Sequence, residues 1–326
     1  MSLLHNWQAS PSEQHPLVRL GRLLQQSGYA FTTISPPSHR RVNAREHHAV
    51  ARDLRGVFGW NRPFEAGTVS AEMLQLMDDA GILLAEDGQL RSALRAATLG
   101  GQLYFHSAYP TRDIDSVFFG PDTYRYEQVI AAALGANRPV RRAVDIGSGA
   151  GPGAVLVARA HPQALVWAVD INPRALALTA LNAQLAGARN VQVAQSDLLK
   201  GVDGQFDLIV ANPPFMMDDD GRTYCHGGGN LGEGLSHAIV DSAIERLAPG
   251  GQLVLYTCLP IIDGSDPFRQ LAGARLTAAG HAWQYRELDP DVFGGELGDE
   301  RHRHTDRIAA VALVATRPAS EGPFRR

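Results

Sequence analysis

The second half of the chain alternates short apolar runs with segments of helical periodicity. Each run is about five to eight residues long and is followed by polar or glycine-rich residues. Such runs are typical of strands buried in a parallel sheet, and the helical segments between them supply the crossovers. The last two runs fit an antiparallel hairpin that closes the sheet. The predicted strands are 142–146, 164–169, 190–194, 206–211, 252–257, 282–288 and 308–316.

Residues 1 to about 110 follow a different pattern. Apolar residues recur at helical spacing within 16–27, and further helices are predicted over 44–58 and 70–80. Ser35-Pro36-Pro37-Ser38 is interpreted as a break between helices. The turn Glu86-Asp87-Gly88 between apolar runs predicts a hairpin, and another strand is expected over 102–107. Helices followed by a hairpin resemble a winged helix. We therefore divide the chain into a smaller, mainly helical domain (1–110) and an α/β domain (111–326).

Composition narrows the class of protein. The chain has 326 residues, 44% of them hydrophobic and 20% charged, with a net charge of −4, which is ordinary for a globular protein. An acidic total argues against strong non-specific binding of nucleic acid. The first domain nevertheless contains a local basic cluster, which we interpret mainly as a solvated helix face. Its members are Arg40-Arg41, Arg45, Arg52 and Arg55.

Targeting signals and cysteine use predict the compartment. No apolar stretch approaches the length of a membrane span, and the first residues lack the basic and apolar regions of a secretory signal. Two cysteines, Cys225 and Cys258, imply no disulfide framework. These observations predict a cytoplasmic protein without membrane contact, and they leave its oligomeric state open.

The tetrapeptide Asn212-Pro213-Pro214-Phe215 ends the apolar run 206–211. Pro213 restricts Asn212 to an extended backbone, and neither proline can donate a hydrogen bond. The result is a stiff loop at the carboxyl end of a strand, with an amide side chain, bare carbonyl oxygens and an aromatic face. Such a loop suits a planar group bearing an NH2, because acceptors take its N–H bonds and the ring stacks on its plane.

A glycine-rich turn follows the strand 142–146. It reads Asp145-x-Gly147-x-Gly149-x-Gly151 and leads into a helix, so bare backbone comes close to a ligand at a helix N-terminus. Asp170 follows the next strand, where an acidic residue fits the ribose hydroxyls of a nucleotide-like cofactor.

The chain resembles the class I S-adenosylmethionine-dependent methyltransferases, over roughly residues 120–317. The glycine turn, Asp170, Asp197 and the tetrapeptide occur in the order of that family and at similar spacing. The Asn-Pro-Pro-Phe form is similar to the small-domain methyltransferases, which include release-factor glutamine and ribosomal RNA guanine-N2 methyltransferases. The resemblance implies a Rossmann-like, seven-stranded mixed sheet.

The resemblance also implies roles for individual residues. The cofactor S-adenosylmethionine would contact Asp145, Gly147, Gly149, Gly151, Asp170, Asp197 and Asn212. The resemblance puts Asp197 on the adenine amino group and Phe215 beside the target nitrogen. Asn212, Pro213, Pro214 and Phe215 form the predicted catalytic site, in which the Asn212 side-chain oxygen and the Pro213 carbonyl accept the two N–H bonds.

The acceptor stays open at this point. A protein glutamine and a ribosomal RNA amine rank nearly level, followed by DNA adenine and a small-molecule amine, and the first domain is assigned to substrate recognition. Gly149-x-Gly151-x-x-Ala154 also satisfies the dinucleotide fingerprint, so a nicotinamide oxidoreductase remains an alternative, as does a non-catalytic binding module. No metal is predicted, because no metal-ligand spacing occurs among Cys225, His226, His237, His302 and His304.

Overall fold

The structure is a computed structural model that describes residues 11–86, 88–135, 138–217 and 223–319. Within these ranges, the first part of the chain folds into three α-helices and two separate antiparallel hairpins. Its elements are α1 (Pro16–Gln26), α2 (Pro36–Asn43), α3 (Ala71–Asp79), β1 (Leu83–Glu86), β2 (Gln89–Ser92), β3 (Leu94–Leu99) and β4 (Gln102–Ser107).

The remainder forms an α/β unit around one seven-stranded sheet. Its elements are α4 (Pro121–Leu134), β5 (Arg142–Ile146), α5 (Pro152–Ala160), β6 (Leu165–Asp170), α6 (Pro173–Leu185), β7 (Val191–Gln195), β8 (Phe206–Ala211), α7 (Gly234–Arg246), β9 (Leu247–Ile262), α8 (Pro267–Ala278), β10 (Ala282–Asp289) and β11 (Thr305–Thr316).

The strand order is β7-β6-β5-β8-β9-β11-β10, and β11 alone runs antiparallel to the other six strands. The strands β5 and β8 pair side by side although β6 and β7 lie between them in the chain. The direction of strand order therefore reverses between them, which opens a crevice at their carboxyl ends. The arrangement confirms the predicted mixed sheet and its closing antiparallel pair.

Alternating side chains of the central strands feed two hydrophobic cores. On β8, Leu208 and Val210 join the core beneath α4, α5 and α6, whereas Ile209 and Ala211 join the core beneath α7 and α8. Burial on both faces explains why these strands are continuous apolar runs in the sequence.

The first part of the chain shares the first of these cores. Leu17 and Phe105 belong to the same buried cluster as Ala154 and Leu181. The side-chain amide of Asn182 on α6 accepts a hydrogen bond from the Phe105 N–H and donates to the Phe105 carbonyl, at 2.8 and 2.9 Å. Packing is thus continuous across residue 110, and the division into two domains there stays a prediction.

The helix expected over 44–58 is wrong. The helix in this region is α2, followed by a 3₁₀ turn over Glu46–His48 and a short π-helix over Arg55–Gly59. The stretch interpreted as a break contains the start of α2, because Pro36 and Pro37 occupy first-turn positions, where a missing N–H costs nothing. The predicted strand after Asp87 divides at Ala93 into β2 and β3, and Asp87 itself lies outside the described residues. Helices do precede a hairpin, whereas the winged-helix likeness stays a prediction.

Candidate functional site

A cavity of about 1480 Å³ opens at the carboxyl ends of β5, β6, β7 and β8. This is the edge at which open α/β sheets bind ligands. Of the predicted site residues, Asp145 and Gly151 are not on the cavity wall. Those on the wall are Gly147, Gly149, Asp170, Asp197, Asn212, Pro213, Pro214 and Phe215.

The glycine turn places bare backbone on the cavity wall. Gly147 and Gly149 have φ values of +70° and +56°, which side chains rarely tolerate. The N–H groups of Gly147 and Ser148 both donate to the Val169 carbonyl, so the turn is tied to the end of β6. Gly151 has a different function, since a Cβ there would lie 2.9 Å from Thr179 Cγ2 on α6. It permits close helix packing behind the turn.

Asp145 lies beneath the turn and is 1% exposed. Its Oδ1 accepts from the Tyr126 hydroxyl at 2.9 Å, and its Oδ2 accepts from the Ala154 N–H at 2.8 Å. Burial raises the pKa of this carboxyl to about 7, although both hydrogen bonds act in the opposite direction. The geometry makes Asp145 an anchor for the first turn of α5. Direct contact with a cofactor stays a prediction.

Asp170 joins the end of β6 to the glycine turn. Its Oδ2 accepts from the Gly149 N–H at 3.0 Å, and its Oδ1 accepts from the Asn172 N–H at 2.9 Å. Burial raises the pKa of this carboxyl, while the backbone hydrogen bonds lower it. Each carboxylate oxygen can accept more than one hydrogen bond. Asp170 therefore has capacity for ribose hydroxyls on the cavity side.

Asp197 lies on the wall at the end of β7 and is more exposed than Asp170. Its carboxylate pairs with Lys200 in the same turn, and the pair is open to solvent. The neighbouring Leu198 has a φ of +52°, a conformation uncommon for a residue with a side chain. The Ser196 hydroxyl donates to the Leu198 carbonyl at 2.7 Å and holds this turn in shape.

The tetrapeptide presents a buried acceptor with no partner. Asn212 Oδ1 is inaccessible to solvent and makes no hydrogen bond among the described residues. Almost all buried polar atoms in folded proteins have partners, so such an atom calls for an explanation. Because other atoms of Asn212 line the cavity, rotation of its side-chain amide would bring this oxygen to a ligand N–H.

Two glycines of the loop that follows the tetrapeptide lie in close contact with the tetrapeptide backbone. A Cβ on Gly232 would lie 2.1 Å from the Phe215 carbonyl oxygen, and one on Gly227 would lie 2.7 Å from the Pro214 carbonyl oxygen. The N–H of Gly227 donates to the Met216 carbonyl at 2.8 Å. Glycine is needed at both positions because the two backbone segments approach too closely to admit a side chain. Asp218, Asp219, Asp220 and Arg222 of the same loop lie outside the described residues.

Sequence reasoning missed several parts of the wall. Asp122, at the start of α4, faces the cavity and accepts from the Tyr256 hydroxyl at 2.6 Å; burial raises the pKa of its carboxyl. The helix-start signal Gly120-Pro121 precedes it, but nothing local announces a cavity. The other missed segments come from the first part of the chain and from the β10–β11 connection: Ser35, Pro36, Pro37, Arg40, Tyr109, Arg112, Asp291, Val292, Phe293, Gly294, Gly295 and Glu296.

Within the described ranges, no group of three histidine, cysteine, aspartate or glutamate side chains could hold a metal ion. His237 packs on Phe268 with ring centroids 4.7 Å apart, and His302 contacts the Thr305 hydroxyl at 3.1 Å. Cys258 is buried beside Tyr256. Among the described residues, the longest helices are also too short or too polar to cross a bilayer.

The cavity fits a nucleoside-containing cofactor beside a planar acceptor. Gly147 and Gly149 supply close backbone, Asp170 supplies acceptors for hydroxyl groups, and Asn212 supplies an unused acceptor further along the same wall. The volume of about 1480 Å³ exceeds the range of roughly 300–1,000 Å³ usual for single-ligand pockets. There is accordingly room for two ligands.

Comparison with known proteins agrees with this geometry. A family model described as methyltransferase small domain matches residues 127–258. The release factor glutamine methyltransferase of Deinococcus radiodurans is 33% identical over 211 residues, which cover 61% of this chain and 70% of that protein. The release factor glutamine methyltransferase of Salmonella typhimurium is 37% identical over 149 residues, covering 41% of this chain and 52% of that protein.

Two further similar proteins differ widely in how much of the chain they match. The ribosomal protein uL3 glutamine methyltransferase of Xanthomonas campestris is 43% identical over 85 residues, covering 26% of this chain and 28% of that protein. A solved 16S ribosomal RNA guanine-N2 methyltransferase of T. thermophilus, in complex with AdoMet and guanosine, is 19% identical with a TM-score of 0.46, covering 78% of this chain and 64% of that one. Apart from the Deinococcus protein, the chain spans about half the length of the first release-factor relatives.

Proposed function

The chain belongs to the methyltransferase small-domain family of S-adenosylmethionine-dependent enzymes, and from that premise we propose that it methylates a planar nitrogen on a protein glutamine or an RNA base. The observation that carries the proposal is the buried, unpartnered Oδ1 of Asn212, a residue that lines the cavity. This membership confirms the class I methyltransferase resemblance and leaves no support for the nicotinamide oxidoreductase.

The proposed chemistry depends on positioning. An amide or aryl-amine nitrogen is a poor nucleophile because its lone pair is delocalised into the adjoining group. In our proposal, Asn212 Oδ1 and the Pro213 carbonyl accept its two N–H bonds and hold the nitrogen in line with the methyl group. S-adenosylmethionine, when bound, supplies that methyl group on a sulfonium. Preorganised acceptors of this kind act most strongly where water is excluded, as it is at Oδ1.

The cofactor half of the cavity is assigned by the same reasoning. Gly147 and Gly149 would lie against the cofactor, and Asp170 would bind its ribose hydroxyls, with Asp197 at the adenine end. Asp145 and Gly151 would act from behind the wall, through the hydrogen bond to Ala154 and the contact with Thr179. Asn212 would then stand between the cofactor and the acceptor.

Between the two acceptors we favour a protein glutamine. The release-factor relatives that are 33% and 37% identical to this chain, over 211 and 149 residues, are named for glutamine methylation. An RNA base is the second candidate, and one observation favours it: Arg40 lines the cavity at the end of a run of exposed arginines that includes Arg41 and Arg45. Phosphate groups of an RNA would find those side chains beside the cavity. We further propose a cytoplasmic location, consistent with the absence of disulfides among the described residues.

The test uses the full-length protein, cell extract and S-adenosylmethionine labelled on the methyl group. We expect label in macromolecules that is released by protease and resists ribonuclease, with mass spectrometry showing one added methyl on a glutamine. Asn212→Ala serves as the inactive control. Label released by ribonuclease would replace glutamine with an RNA base. Absence of transfer to any macromolecule, despite cofactor binding by calorimetry, would refute the proposal.

A further inference from the structure

An aromatic residue outside the tetrapeptide contributes to the acceptor side of the cavity. Phe293 lies in the connection between β10 and β11, far from Phe215 in sequence, and it lines the same cavity. The two ring centroids are 5.3 Å apart and the ring planes are inclined by 56°. This tilted contact joins the two rings into an aromatic corner on the cavity wall, and both side chains are partly exposed.

The backbone of Phe293 is held in an unfavourable conformation. Its φ is +56°, in the left-handed region that bulky residues avoid. Gly294 and Gly295 follow immediately, so glycine is already used in this connection, yet the left-handed position itself carries the large ring. Strain of this kind persists where the surroundings impose it, and it concentrates at functional sites.

The connection is fastened on both sides of the ring. The Val292 N–H donates to the Ile308 carbonyl, and the Glu296 N–H donates to the Phe293 carbonyl, both at 2.8 Å. Arg307 donates to the Pro290 carbonyl at 2.8 Å and pairs with Glu287. The ring is therefore presented to the cavity by a fixed backbone.

We propose that Phe293 is a specificity-determining residue that, with Phe215, restricts the acceptor to flat groups. The inference rests on the proposed function. A planar amide or base can stack on one ring with its edge against the other, whereas the tetrahedral nitrogen of an alkyl amine has no flat face to offer. Asn212 selects for N–H groups, and the aromatic corner selects for planarity.

The test compares four variants with the wild type. Phe293→Ala and Phe293→Gly should each raise the KM for the acceptor by about 10-fold, the scale of one lost stacking contact, and leave the cofactor Kd unchanged within twofold. Phe293→Tyr should retain the wild-type KM. Leu297→Ala is the matched control, because Leu297 packs on the core from the same connection and is not on the cavity wall.

Thermal stability separates recognition from backbone strain. Phe293→Gly should unfold at a higher temperature than Phe293→Ala, because glycine adopts a positive φ without strain. Both should nonetheless share the raised KM. An unchanged acceptor KM in Phe293→Ala, or an equal rise in Leu297→Ala, would overturn the inference.

A second measurement is independent of turnover. Saturation-transfer NMR with S-adenosylhomocysteine-bound protein would use glutaminamide and guanosine as probes. The aromatic corner predicts transfer to at least one planar probe in the wild type and its loss in Phe293→Ala. The wild type could methylate no macromolecule and still show a stronger NMR signal than Phe293→Ala. That result would refute the proposed function but support binding of planar groups by the aromatic corner. Equal signals in both proteins, or no signal in the wild type, would overturn the corner.

Discussion

Replacing Asn212 with alanine separates chemistry from both cofactor binding and folding. The change removes one side-chain acceptor from the cavity wall and alters no hydrogen bond that Oδ1 makes within the described protein. We expect methyl transfer to collapse while the protein remains folded and continues to bind S-adenosylmethionine within a few-fold of the wild-type affinity.

The magnitude follows from the burial of Oδ1. Desolvating an acceptor without a partner costs roughly 1–3 kcal/mol, and the free enzyme already bears that cost. An arriving N–H recovers it. Loss of one such preorganised group typically costs about 3–4 kcal/mol in the transition state, which corresponds to a roughly 10²–10³-fold fall in kcat. Because truncation removes this unpartnered acceptor and breaks none of its hydrogen bonds, the free energy of unfolding should not fall, and relief of the desolvation cost should raise it by up to roughly 1–3 kcal/mol.

A second asparagine provides the contrast. Asn182 is fully buried, and its amide bonds the Phe105 backbone and the Ala150 carbonyl. Asn182→Ala leaves those backbone groups without hydrogen-bond partners and should lower the free energy of unfolding by roughly 3 kcal/mol or more. The assay combines filter-bound methyl transfer, cofactor calorimetry and urea denaturation of both variants.

The reasoning is refuted by either of two results. Near-normal kcat in Asn212→Ala would show that the tetrapeptide does not hold the target nitrogen. A large loss of stability in the same variant would show that Oδ1 contributes to the fold instead. Asn212→Asp is a useful intermediate, since a carboxylate still accepts N–H bonds, and we expect it to retain part of the activity.

Three further predictions test the surroundings of the site. Asp170→Ala should weaken S-adenosylhomocysteine binding by about 10- to 100-fold in calorimetry, since it removes the acceptors for ribose and the bond to Gly149; unchanged affinity would exclude this role. The raised pKa of Asp145, about 7, means that the folded state holds a proton that the unfolded state releases near pH 4. The free energy of unfolding should therefore fall by up to about 1.4 kcal/mol per pH unit as the pH rises from about 4 to about 7. In urea titrations at several pH values, Asp145→Asn should remove this part of the pH dependence. An unaltered pH dependence in the variant would mean that another group causes it. Gly232→Ala introduces a Cβ 2.1 Å from the Phe215 carbonyl and should abolish transfer but preserve cofactor affinity, whereas full activity would mean that the loop yields.

The parts of the protein that the sequence determined are those with a strong local signal. Continuous apolar runs identified the strands, because burial on both faces of a sheet leaves no place for polar residues. The tetrapeptide and the glycine turn were recognisable because prolines and glycines restrict or free the backbone wherever they stand. These signals predicted the cofactor edge of the sheet and the tetrapeptide that the structure places on the cavity wall.

Helical periodicity failed where it was the only signal. The stretch 44–58 has suitable spacing, yet the chain begins its helix at Pro36, because proline costs nothing at the first turn of a helix and the preceding Ser35 takes the N-cap position. A local pattern cannot register which of two neighbouring stretches packs better against the rest of the molecule.

Tertiary structure alone decided which distant residues line the cavity and which residues of the cofactor motif lie behind its wall. Asp145 and Gly151 belong to a cofactor motif, but the fold turns them away from the cavity, against Ala154 and Thr179. No sequence motif around Phe293 indicates a functional site. Its ring meets Phe215 only when the last two strands pair with the sheet. Contacts between residues so distant in sequence depend on how strands and helices pack, and no periodicity along the chain records that packing.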